Sequence, residues 1–163
     1  MDVFALDRAL EPSSGWIAEI ARRQFDQWGP LTDHPSAQAY QAFLLEAAGS
    51  QRLPRTLVAV SAGVLLGSVN LLAGERAIRS ALTPWLGQLF VMEAARSRGV
   101  GSALVDAAAA YARRLGHGQL FLFTTGTLPD YYRRHGWVDV DEVEYLGRVR
   151  TIMRRDLQPA PET

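Results

Sequence analysis

The chain has 163 residues, and its 17 basic and 17 acidic side chains cancel at pH 7, so it presents no overall field for nucleic acid or an anionic membrane. Every basic residue is arginine, which excludes a Schiff-base lysine and a Walker-type lysine, and the absence of cysteine excludes a disulfide framework, thiolate metal ligands and a cysteine acyl-enzyme. An anion would have to be met by arginine and backbone N–H groups. The length fits one domain, residues 1–163.

The opening "MDVFALDRALEP" is interrupted by charge and does not read as a signal peptide, so a cytoplasmic location is expected. Residues 2–7 suit a first strand. "EPSSGWIAEIARRQF" carries a helix start followed by Trp16, Ile17, Ile20 and Phe25 at helical spacing, with an end near Gly29-Pro30. A second helix is expected over 35–48, with Pro35 in its first turn and Gly49 as its stop. The charge-free run from Thr56 to Gly74 is long enough to span a bilayer. Gly63 and Gly67 interrupt it, however, and its β-branched residues favour a hairpin over 56–73.

A polar link, "GERAIRSALTP", leads to the apolar run "WLGQLFVM" and then to "RSRGVGSAL". From Gly101 the pattern predicts a helix with Leu104, Ala108, Tyr111 and Leu115 on one face and Gly116 as its stop. "QLFLFTT", 119–125, lacks alternation and reads as a strand buried on both faces. A short helix is expected over 128–135, ending at Gly136 with His135 as a cap. A further strand is possible over 137–141, "EYLGRVRTIMRRDL" alternates as a final strand, and residues 157–163 are expected to fray. The order β, α, α, β, β, β, α, β, α, β predicts a mixed α/β domain. His34, His117 and His135 show no metal-ligand spacing, and no metal is expected.

A strand entering a glycine turn and then a helix aims unpaired N–H groups and the positive end of the helix dipole at one point, where phosphate binds well. Gly99 and Gly101 allow close backbone approach, Ser102 adds a hydroxyl, and Arg96 and Arg98 are placed to reach outer oxygens. A dinucleotide turn would need a third glycine where Leu104 stands. Taken alone, the stretch is equally compatible with a structural helix start.

Together with its neighbours, the stretch resembles the GNAT superfamily of acetyl-CoA-dependent N-acetyltransferases. Arg96-Ser97-Arg98-Gly99-Val100-Gly101 matches the signature [RQ]-x-x-G-x-[GA] after the strand "LFV" at 89–91, and "YYRRHGW" at 131–137 matches a second block. The resemblance covers residues 56–156, and its flanks are similar to small bacterial members. It implies an α/β fold of the acyl-CoA N-acyltransferase type, with a mixed central sheet flanked by helices. It also implies acetyl-CoA as co-substrate, with the pantetheine arm in a cleft between strands 85–92 and 119–125 and paired to Leu89, Phe90 and Val91. The pyrophosphate is then expected on Ser97, Arg98, Gly99, Val100, Gly101 and Ser102.

Tyr132 matches the tyrosine that protonates the departing thiolate, and a backbone N–H near Phe90 or Val91 would polarise the carbonyl. Many members carry asparagine where this chain has Thr125, which leaves that pantetheine contact open. With no cysteine, direct attack by the amine in a ternary complex is the implied route. The acceptor is expected to be a small-molecule or peptide amine, met by Glu75, Trp85, Tyr145 and Arg148, with Glu75 also a candidate base. No nucleic-acid or membrane partner is expected, and the protein is expected to be a monomer or homodimer. The alternative is a CoA-binding sensor or interaction module without catalysis.

Overall fold

A computed structural model describes residues 1–7, 13–32, 34–49, 52–74, 81–124 and 128–157. Seven strands form a mixed sheet in the order β1-β2-β3-β4-β5-β7-β6, and the chain divides into two compact units that interleave in sequence. The first unit contains Met1–Leu71 and Gln88–Ala108, and the second Leu72–Gly87 and Ala109–Thr163.

In the first unit, β1 (Asp2–Ala5), β2 (Arg55–Ser61) and β3 (Val64–Leu72, through Leu71) are joined as antiparallel neighbours. The run that was long enough for a membrane span is the expected β2–β3 hairpin. Ala62 and Gly63, both at positive φ, make its turn. No helix among the described residues is long and apolar enough to cross a membrane. Helix α1 (Ser13–Trp28) runs into a short 3-10 turn at Gly29–Thr32. Helix α2 (Ala37–Ala47) starts two residues later than the expected 35, because Ser36 is the cap and its hydroxyl accepts from the Ala39 N–H. Ile17, Ile20 and Ala21 of α1 and Tyr40 and Leu44 of α2 close over Val58, Val60 and Leu65.

β3 contains an irregularity: the register passes from Ala59↔Gly67 to Val60↔Leu65, leaving Leu66 as an extra residue. The Leu66 carbonyl then accepts from the Met92 N–H at 2.8 Å. Gly67 is required at this point for a steric reason. A Cβ there would lie 2.6 Å from the Phe90 carbonyl oxygen and 3.2 Å from Leu104, so the backbones approach more closely than any side chain permits.

In the second unit, β5 (Gln119–Thr124) pairs in parallel with the start of β4 (Trp85–Val91) at Trp85↔Phe121 and antiparallel with β7 (Arg148–Asp156). β7 pairs in turn with β6 (Val138–Tyr145). The stretch expected as one final strand is therefore a hairpin. Leu146 and Gly147 take positive φ and turn the chain between Tyr145 and Arg148, a turn hidden in sequence by the leucine in its first position.

Helix α3 (Val100–Arg114) begins one residue before Gly101 and stops at Gly116, which has φ of 94°. Its buried residues are Val100, Leu104, Val105, Ala108, Ala109 and Ala112, while Leu115 is exposed. Leu104 and Ala108 of the expected face are thus buried, Tyr111 is half-buried, and the buried face turns toward Val105, Ala109 and Ala112, where small alanines allow close packing. Helix α4 (Leu128–Arg133) is followed by Gly136 at φ of 90°.

Gly67→Ala is expected to destabilise the fold by about 1–3 kcal/mol, the usual cost of forcing extra volume into a packed site. Gly15→Ala, on an exposed part of α1 with no atom near the new methyl, should be neutral or stabilising by up to about 1 kcal/mol. Denaturant unfolding of both variants checks the contrast.

Candidate active site

In the first unit, the C-terminal half of β4 leads into the glycine turn. β4 is not a regular strand: Gln88 sits at φ of 47°, in the left-handed region, which costs a non-glycine residue about 1–2 kcal/mol. A buried polar network holds it there. The Gln24 side-chain amide donates to the Gln88 carbonyl at 3.0 Å and to the Ser68 hydroxyl at 3.2 Å. The Asn70 amide donates to Gln88 Oε1 at 3.0 Å and to the Tyr40 hydroxyl at 2.7 Å. Tyr40 donates to Gln24 Oε1 at 2.5 Å, and Thr56 to Asn70 Oδ1 at 2.9 Å. Gln24, Ser68 and Asn70 are almost fully buried, so each of these bonds replaces one that water would have made.

After the kink, Phe90 is buried beneath the Arg23 guanidinium, 5.7 Å above its ring, while Leu89 and Val91 keep partial exposure. A short 3-10 segment, Glu93–Ala95, follows. Ser97 at φ of 64° and Gly99 at φ of 78° then bend the chain into α3. The first bond of that helix end runs from the Ala103 N–H to the Gly99 carbonyl. The N–H groups of Val100 and Gly101 before it lie in the first turn, where the helix itself supplies no acceptor.

Gly101 differs from Gly67, since a Cβ on it would make only ordinary contacts, at 3.8 Å to Val91 and 3.9 Å to Leu89. The protein's own packing does not require glycine there. Arg98 is exposed beside the turn. Arg96 folds back instead, its Nε donating to the Val91 carbonyl at 3.1 Å, so it braces the end of β4.

In the second unit, Tyr132 on α4 is buried, with its ring edge-on to Trp137 at 5.8 Å and to Tyr131 at 5.3 Å. Burial, reinforced by the neighbouring Tyr131, pushes the Tyr132 hydroxyl up to about 12. The helix is tied down by Arg133. Its guanidinium grips Asp139 of β6 through two bonds of 2.8 and 2.7 Å and reaches Asp130 at 2.6 Å. This fork holds the Asp139 carboxyl below its ordinary value. His135 closes the helix end as expected, with Nδ1 2.9 Å from the Tyr131 carbonyl. Sequence reading overlooked the Arg133 clamp, although its i, i+3 spacing from Asp130 was visible.

The residues expected to meet the acceptor are placed unequally. Trp85 is a core residue with no exposed surface, and its Nε1–H donates to the Leu82 carbonyl at 2.8 Å. Tyr145 is half-buried and Arg148 exposed, on either side of the β6–β7 turn. Glu75 and Thr125 lie outside the described residues.

The mixed seven-stranded sheet with its helices has the architecture of an acyltransferase fold. The sequence matches the model of the acetyltransferase (GNAT) family over residues 17–137, and the chain belongs to that family. It is a GNAT acetyltransferase, and acetyl-CoA-dependent N-acetyl transfer is the activity typical of that family.

Among similar solved structures is an aminoglycoside 6'-N-acetyltransferase complexed with coenzyme A, with 14% identity, TM-score 0.72 and coverage of 99% of this chain and 100% of that one. An acyl-CoA N-acyltransferase from Pseudomonas aeruginosa has 22% identity and TM-score 0.64, covering 94% of this chain and 98% of that one. The structure of yncA from Salmonella typhimurium with its cofactor acetyl-CoA has 19% identity and TM-score 0.70, covering 100% of this chain and 97% of that one. At these identities the likeness shows the fold. No curated protein matches the sequence.

A tyrosine whose folded value lies above its unfolded value of about 10 favours the folded state fully below pH 10, and that advantage is lost as pH rises toward 12. Wild-type protein should therefore lose stability over this interval more steeply than Tyr132→Phe. Thermal melts of the two proteins at pH 9, 10, 11 and 12 measure the difference.

Proposed function

We propose that residues 1–163 act as one N-acetyltransferase domain in which an amine attacks acetyl-CoA directly, and that the turn 96–102 carries the CoA pyrophosphate. The observation that supports this most is Gly101: the fold leaves room for a side chain there, yet the chain keeps glycine at the start of α3. A ligand approaching the backbone N–H groups of residues 97–102 supplies the reason that packing does not. Arg98 and Ser102 add charge-assisted and hydroxyl contacts. Arg96 contributes by fixing the end of β4. Leu89, Phe90 and Val91 offer backbone groups to the pantetheine arm in the manner of an added strand.

The chemistry requires a neutral amine, a polarised thioester carbonyl and a proton for the leaving thiolate. In our reading a β4 N–H near Phe90 or Val91 polarises the carbonyl. As the thioester C–S bond breaks and the C–N bond forms, the Tyr132 hydroxyl gives its proton to sulfur. Its raised value keeps that proton in place throughout the neutral range, so the acid is always loaded. The surplus proton on the attacking nitrogen leaves to solvent, and solvent returns a proton to the Tyr132 oxygen, restoring the acid for the next turnover.

The acceptor is a small-molecule or peptide amine. Aminoglycoside acetyltransferases are among the similar structures, and at about 14% identity their acceptor does not carry over to this chain. No metal is needed for these steps, and a cytoplasmic supply of acetyl-CoA suits them.

Release of free thiol from acetyl-CoA across a broad amine panel tests the reading. No turnover together with no stabilisation by CoA would sink it. Tyr132→Phe is expected to lower kcat by about tenfold to a thousandfold while CoA affinity is kept, the usual scale for a lost acid. CoA stabilisation with turnover indifferent to Tyr132→Phe would remove the tyrosine from the mechanism. Gly101→Val is expected to weaken CoA binding at least tenfold, whereas Gly101→Ala should unfold no earlier than wild type, since its methyl meets only ordinary contacts. Calorimetric titration with CoA and thermal melts read the two effects separately.

A further inference from the structure

Within the second unit, strand register places Phe123 of β5, Ile152 and Arg150 of β7, and Val143 and Tyr145 of β6 on one face of the sheet. Arg150 is only 8% exposed. Its guanidinium carbon lies 5.6 Å from the Phe123 ring centre and 5.8 Å from that of Tyr145, and its Nε donates to the Tyr145 carbonyl at 2.9 Å. Elsewhere in this unit Arg133 holds Asp130 and Asp139, and Arg154 holds Asp156.

Among the described residues, none pairs a carboxylate with Arg150. Glu142 and Glu144 stand in register with Thr151 and Val149, on the opposite face, while Asp141 shares Arg150's face one pair further along, opposite Ile152. Neither Nη is a buried donor left without a partner. The cation therefore lies within reach of two aromatic rings, with Nε bonded to a carbonyl.

Burying a cation without a counter-ion is costly, and π faces and one carbonyl offset only part of that cost. The fork has the shape and charge to take a carboxylate through two parallel hydrogen bonds, strengthened by the apolar walls.

We infer that Arg150 is a specificity residue for the acceptor, and that the acceptor is an amine that also carries a carboxylate, an amino acid or a related amino carboxylate. This assignment rests on the N-acetyltransferase reading above. It moves the role expected of Arg148 two residues along β7, to the side chain on the same face that is buried among the aromatic residues.

Two measurements on the full chain with CoA bound test it. The first is calorimetric titration with phenylacetate, a carboxylate without an amine, against 2-phenylethanol, its neutral counterpart. Wild type should bind phenylacetate at least tenfold more tightly, and Arg150→Met should abolish the preference while Arg150→Lys keeps part of it. Equal binding of the two probes, or a preference unchanged in Arg150→Met, overturns the assignment. Thermal melts establish that each variant is folded, and Arg150→Gln replaces methionine if that variant is not.

The second measurement compares kcat/KM for amine pairs that differ by the carboxylate: phenylalanine with phenethylamine, and lysine with cadaverine. Preference for the carboxylated member, lost in Arg150→Met mainly through KM, is the expected result. Turnover indifferent to the carboxylate overturns the substrate class and leaves the transferase reading standing. Carboxylate binding without turnover of any amine instead overturns the transferase reading and leaves the anion site.

Discussion

The left-handed turn at Gln88 is the constraint on which the proposed donor site depends. A glutamine at φ of 47° inside a strand is unfavourable by itself, and it is kept by bonds to both its backbone and its side chain. Gln24 takes the carbonyl and Asn70 takes the side chain, while Tyr40, Ser68 and Thr56 satisfy the remaining polar atoms of that pair. Such a network has few intermediate states, since losing one member leaves others buried and unsatisfied. It therefore fixes the direction in which Leu89, Phe90 and Val91 leave the kink.

From that strand the remaining features of the first unit follow in sequence. The bulge at Leu66 turns its carbonyl to Met92, and Gly67 allows the Phe90 carbonyl to come close. Arg96 holds Val91 from the far end. The glycine turn is thus launched from a strand secured on both sides, and the backbone donors at the start of α3 inherit that fixed origin. In the second unit, the Arg133 fork gives Tyr132 comparable rigidity.

Local features were legible in the sequence because their physics is local. The β2–β3 hairpin, the stop at Gly116 and the glycine turn before α3 follow from backbone freedom and periodicity over a few residues, and two spaced motifs were enough to indicate the family. The β6–β7 turn was missed because Leu146 occupies a positive φ that side chains seldom adopt, while alternation continued through it. The stripe expected on α3 is buried at Leu104 and Ala108 but not at Leu115, because Val105, Ala109 and Ala112 share the buried face where packing is close. The Gln24, Asn70 and Gln88 network joins residues up to 64 positions apart, and nothing along the chain announces it. Arg150 was invisible for a similar reason: on an alternating strand one arginine resembles another until β5 and the β6 turn surround it with rings.

The interleaving of the two units has a consequence for how the chain is made. Gln24, Tyr40, Ser68 and Asn70 leave the ribosome well before Gln88, and the first unit is not complete until residue 108 has been added. During that interval the nascent chain holds amide and hydroxyl groups whose shared partner does not yet exist, so α1, α2 and β3 have no reason to dry out around them. The first half of the protein therefore waits for the second. No contiguous stretch of the gene encodes either unit by itself, and a truncation that preserves the first unit has to carry residues 1–108, including a segment of the second.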